Sequence, residues 1–255
     1  MVVMSFRLPE ELRQERPRRR GPAGEVPEHS WPPIDRRALA QLEADIERGW
    51  VASERGMTAR DATDHPWLVA WRGLMALVER EGGPCYGTVA ATSEAVDDFV
   101  EAFVGQLATA AGTLSRVSSC WAEWLLEVTS GLLGPLAPWF SEERPEHRRL
   151  HVLALVRLGR RSEAASFVEA WRDETPEDAL AWLAMSRLRC DPISGAMGSL
   201  EDREAACHIL DRALRHCGDY SGRSLLWLEL HTLYELMGDA RRSDGAWDEL
   251  VRVLH

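Results

Sequence analysis

The residues whose types and spacing could do chemistry fall in a few short stretches. Gly83-Pro84-Cys85-Tyr86-Gly87 has the letters of a G-x-C-x-G nucleophile turn. That device needs a strand running into the turn, so that the thiol stands exposed over a sheet. The lead-in here is WRGLMALVERE, which has a helical period, so the segment reads as a connector. His147 and His151 are four apart and share a helix face, a spacing that can chelate zinc. The HRRLH frame lacks the glutamate of the metalloprotease helix, and no third ligand is evident. Cys207, His208, His216 and Cys217 form another set. Ten residues at about 100° each turn Cys207 roughly 80° away from Cys217, so the two do not converge. Glu123 and Glu127 share a face, where a charged pair is ordinarily solvated, and nothing marks either as an acid with a raised pKa. The sequence therefore predicts no catalytic residue, no metal ligand and no cofactor.

An absence is sharper than any of these motifs. All thirty basic residues are arginine, and the chain contains no lysine. A Walker-type phosphate loop, the strand lysine of a protein kinase and a pyridoxal Schiff base each need an amine. A guanidinium does not usefully deprotonate and cannot replace it.

Composition sets further bounds. A chain of 255 residues with 45% apolar content can bury a substantial core, and eleven tryptophans supply much of it. The formal charge of −11 argues against nonspecific attraction to nucleic acid or an anionic membrane. The start, MVVMSFRLPEELRQ, turns charged before an apolar core can form, and no apolar run is long enough to span a bilayer. With five cysteines, an odd number, the expectation is a reduced, cytoplasmic protein with no disulfide framework and no membrane insertion.

Residues 1–34 read as an extended or disordered arm, because Pro17, Pro22, Pro27, Pro32 and Pro33 forbid a continuous helix. Its Arg16, Arg18, Arg19 and Arg20 are offset by Glu10, Glu11 and Glu15, as in a solvated tail. Residues 35–140 predict a helical bundle. Asp35 caps a helix bearing Leu39, Leu42, Ile46 and Trp50, and Pro66 opens a second with Trp67, Trp71, Leu74 and Val78. A break at EGGPCYG follows, then a third helix from near Thr92 or Ser93 through Leu107. Gly112 separates it from a fourth carrying Leu114, Val117, Trp121, Trp124, Leu125 and Val128, which GLLGPLAPWF ends. Tyr86-Gly-Thr-Val is the only β-branched patch and is too short for a sheet.

Residues 141–255 predict three successive helix pairs. In the first, Gly159 is followed by Ala164, Val168, Trp171 and Pro176; in the third, Gly238 is followed at the same intervals by Ser243, Trp247 and Leu250. Ala206, Leu210 and Ala213 repeat the small, large, small pattern in the second, whose helices are separated by a longer CDPISGAMGSLED. This pattern resembles the tetratricopeptide repeat, with a large aromatic on the first helix, a glycine in the turn and small residues where helices cross closely. The resemblance implies an all-α fold, a helical bundle followed by an α-solenoid of antiparallel pairs.

By phase, the resemblance also implies that the first helix of each pair lines a concave groove through Arg149, Leu153, Arg157, Leu183, Arg187, Leu228, Thr232 and Glu235. Arginines there would suit a partner segment bearing carboxylates. The expected function is a non-catalytic adaptor or scaffold that binds a protein partner, with self-association left open. The alternative is a helical enzyme or ligand-gated regulator with a site between bundle and repeats, using Cys85, His147 or His151.

Overall fold

The computed structural model describes residues 35–54, 65–113, 119–190 and 198–254. The arm, Gly56, Thr63, Asp64, Leu114, Val117 and most of the long connection in the second pair lie outside them. Among the described residues the protein is all-α, with no strand. The helices are α1 (Arg36–Glu54), α2 (Pro66–Val78), α3 (Tyr86–Thr92), α4 (Glu94–Thr113) and α5 (Cys120–Leu133). A 3-10 turn (Ala137–Trp139) follows, then α6 (Arg144–Arg157), α7 (Arg161–Glu174), α8 (Ala179–Cys190), α9 (Leu200–His216), α10 (Tyr220–Met237) and α11 (Ala240–Leu254). The chain forms two compact units, one ending at Ala154 and one beginning at Leu155.

In the first unit, α2 is the central element. Asp35 caps α1 by accepting from the N–H groups of Arg37 and Ala38 at 3.0 and 3.2 Å. His65 caps α2, its Nδ1 accepting from Trp67 N–H at 3.2 Å, while Pro66 fills the first turn, where no N–H is needed. From α2, Trp67 points to α1 and Trp71 to α5, and both indoles lie on glycine. A Cβ at Gly49 would stand 1.8 Å from Trp67 Cδ1, and one at Gly131 would stand 2.6 Å from Trp71 Cζ2. Removing the Cβ is what lets a bulky ring touch helix backbone at these crossings. Around Trp67 gather Trp50 edge-on at 5.0 Å, Phe103 at 5.8 Å and Phe99 at 6.1 Å, drawing α1, α2 and α4 onto one ring.

One expectation is corrected here. The glycine-rich connector does not stay irregular: Tyr86-Gly-Thr-Val enters α3. Tertiary contacts override its weak propensity, since Tyr86 is buried, its hydroxyl donates to Asp97 at 2.9 Å, and the Trp139 ring covers Gly87. The break expected at Gly112 falls one residue later: α4 ends at Thr113 and α5 begins at Cys120.

In the second unit, two turns are built alike. Gly159 and Gly238 are left-handed, with φ of 74° and 73°. In each, the glycine N–H and the next N–H reach back into the preceding helix: Gly159 to Val156 O and Arg160 to Leu155 O, Gly238 to Glu235 O and Asp239 to Tyr234 O. These are Schellman closures, which satisfy helix carbonyls that would otherwise be orphaned. Small residues mark the crossings, with Ala164, Ala206, Ala213 and Ser243 all buried. Packing runs α7 on α8, α8 on α9 and α10, α9 on α10, and α10 on α11. First-turn arginines add clamps: Arg161 donates to Leu188 O at 2.6 Å and Arg203 to Leu236 O at 2.7 Å.

The Trp67 seat yields a test. Gly49→Ala should destabilise the first unit by about 1–3 kcal/mol, because a fully buried indole has nowhere to shift. Gly73→Ala, on the exposed face of α2, should instead be stabilising by roughly 0.5–1 kcal/mol. Urea denaturation of the two variants measures both; equal effects would refute the packing account.

Candidate functional site

The sequence-derived groove positions do not all stand alike. Arg149 and Leu153 belong to the first unit, where Leu153 packs against the core and Arg149 is held by Glu146 through bonds of 2.7 and 2.5 Å. Arg157 is half-buried at the end of α6. Leu183 is buried in the core of the second unit. Arg187, Leu228, Thr232 and Glu235 are exposed, on α8 and α10, and the structure brings these two helices together.

Arg187 and Glu229 join them. The guanidinium donates to both carboxylate oxygens, at 2.9 and 2.7 Å, across the α8–α10 seam. This hydrogen bonding raises the Arg187 pKa and keeps the fork charged and aligned. Of the three forks that sequence phase offered to a partner's carboxylates, Arg149, Arg157 and Arg187, the first and last are thus already engaged within the chain. Thr232 donates to Leu228 O at 2.9 Å, and Glu235 stands 3.8 Å from His231 Nε2.

What remains unsatisfied on this face is apolar. α10 buries Leu226, Leu230, Leu233 and Tyr234 on one side. On the other it exposes Leu225, Leu228 and Leu236, at 42%, 46% and 44%. Leu225, Leu228 and Leu236 recur at helical spacing, so they form a stripe with Thr232 among them. Of these, sequence phase singled out only Leu228. Leu225 and Leu236 were legible in a count, because α10 carries more leucines than a single buried stripe can use.

The groups with chemical potential take structural roles. Cys85 is the N-cap residue of α3, with Sγ 3.1 Å from Thr88 Oγ1. His147 is buried against the Phe140 ring, and His151 Nδ1 shares a 3.0 Å hydrogen bond with Thr129 Oγ1. Glu127 takes a bidentate ion pair from Arg72 at 2.8 Å. His216 stacks flat on Trp182 at 5.5 Å, and Cys207 and Cys217 are buried. Burial, reinforced by neighbouring carboxylates, pushes the Cys207 thiol up to about 12 and the Cys217 thiol up to about 11. Among the described residues no group of histidine, cysteine and acidic side chains is arranged to hold a metal ion. No helix there is long and apolar enough to cross a membrane.

All five thiols are free, so their reactivity reports their surroundings. Iodoacetamide at about pH 8 should label Cys85 fastest in the native protein, because only thiolate reacts and this thiol is exposed. Cys190, Cys207 and Cys217 should resist until the chain is unfolded. Native labelling of Cys207 as fast as Cys85, read by mass spectrometry, would contradict the burial described here. Compared with family models, with curated proteins and with solved structures, the chain matches none.

Proposed function

We propose that this chain is a non-catalytic adaptor, similar in design to tetratricopeptide-repeat proteins, that holds a segment of a protein partner on the α8–α10 face. One observation carries this reading: α10 already spends a full apolar side on the core and still presents Leu225, Leu228 and Leu236 outward. Each leucine covered by a partner would contribute about 1.5–3 kcal/mol, which three together make a useful binding energy. Thr232 and Glu235 on the same helix offer polar contacts that fix register. The Arg187–Glu229 pair holds α8 and α10 side by side, so it organises the face instead of reading a carboxylate.

The repeat character is supported by the matched turns at Gly159 and Gly238 and by the buried small residues that follow each at the same interval. Free thiols at every cysteine suit a reducing compartment such as the cytoplasm.

A photo-crosslinking amino acid placed at Leu228, in cells of the native host, tests the reading. A discrete protein adduct should form there and not from the same probe at Val69, an equally exposed position of the first unit. Leu225→Ser with Leu228→Ser should weaken the captured partner at least about tenfold without lowering the melting temperature. Cys85→Ser and His151→Ala should leave capture intact. Absence of any adduct, together with a small molecule that raises the melting temperature, would favour a ligand-binding protein instead.

A further inference from the structure

The register of the helix pairs makes Val168 on α7, Leu210 on α9 and Trp247 on α11 equivalent positions. Val168 is 1% exposed and Leu210 0%, and each of their helices is followed by another that packs upon it, α8 on α7 and α10 on α9. Trp247 is 48% exposed. Its ring lies tilted beside that of His231, with the centroids 5.2 Å apart. Val251 and Leu254 continue the stripe at one-turn intervals and are exposed too, at 37% and 52%. α11 therefore shows, uncovered among the described residues, the surface that its counterparts use to receive the next helix.

The chemistry around that stripe indicates what it would receive. Asp244 and Asp248 border it, both exposed and neither in an ion pair with any described residue. The carbonyls of the last turn of α11 add the negative end of the helix dipole. The preceding pair shows how such carbonyls are met: Arg223 of α10 donates to Leu214 O near the end of α9, at 3.1 Å. The permanent clamps differ here. Arg161 and Arg203 grip the carbonyl end of the following helix, whereas their equivalent on α11 is Ala240. A helix seated on α11 would lack that grip and so could exchange.

We propose that the Trp247–Val251–Leu254 stripe is a second docking site, distinct from the α8–α10 face, for an amphipathic helix with basic flanks supplied by a partner protein. The occupant lies along α11 as α10 lies along α9. Its apolar side covers the indole, and its arginines or lysines meet Asp244, Asp248 and the end carbonyls.

The probe is a synthetic amphipathic helix of leucine, alanine and arginine, set against the same helix with glutamate for arginine, titrated into the full chain by calorimetry. The arginine helix should bind saturably and the glutamate helix at least about tenfold more weakly, with affinity falling as salt rises. Trp247→Ala with Val251→Ser should cost about tenfold or more, and Asp244→Asn with Asp248→Asn a few-fold. Val69→Ser should have no effect. All of these positions are exposed, so unchanged circular dichroism and melting temperature verify that the variants fold. Equal binding of both helices, no binding, or a dimer of this chain that Trp247→Ala and Val251→Ser dissolve would each overturn the proposal.

Discussion

An amphipathic helix pair cannot bury all of its apolar surface by itself, and the organisation of the second unit follows from that constraint. α8 needs α9 and α10, α9 needs α10, and α10 needs α11. Small residues, Ala206, Ala213 and Ser243, are buried within this packing, and Gly238 turns the chain from α10 into α11 in a left-handed conformation that would strain a residue with a side chain. A stack assembled in this way covers what lies between neighbouring helices and leaves apolar side chains outside those contacts exposed. That is why the exposed leucines of α10 and the exposed tryptophan of α11 are meaningful, where a scattered apolar residue would not be.

The first unit solves its packing problem differently. Instead of small residues meeting small residues, it sets large rings onto bare backbone, with Trp67 on Gly49, Trp71 on Gly131 and Trp139 on Gly87. The result is an aromatic core in which Trp67 contacts rings from α1 and α4 at once. Polar links between its helices include Arg72 to Glu127, Tyr86 to Asp97 and Thr129 to His151. Histidines and cysteines that could suggest catalysis serve as caps, ring neighbours or buried thiols. The absence of lysine removes the amine-dependent reactions.

Much of this was legible in the sequence because helical period and turn chemistry are local. Asp35 and Pro66 marked helix starts, Gly159 and Gly238 marked turns, and the intervals to Ala164 and Ser243 marked the crossings. α3 was not legible, since Tyr86-Gly-Thr-Val is a poor helix former whose conformation is imposed by Asp97 and Trp139 from elsewhere in the chain. Arg187 could not be seen to pair with Glu229, because they are 42 residues apart and only the stacking of α8 on α10 joins them. Leu183 has the phase of an open face, yet α8 is enclosed by its neighbours and the residue is buried. Trp247 presents the reverse case: its spacing matches the buried Val168, yet it is 48% exposed.

The central claim is that the second unit is an open stack whose apolar surface is incompletely covered. Hydroxyl-radical footprinting read by mass spectrometry at single residues tests it most directly. Trp247 should oxidise many times faster than Trp171 and Trp182, which are both 2% exposed, and Leu228 faster than Leu230. Protection of Trp247 to the level of Trp171 in the isolated monomer would mean that the stack closes on itself, and would contradict the account.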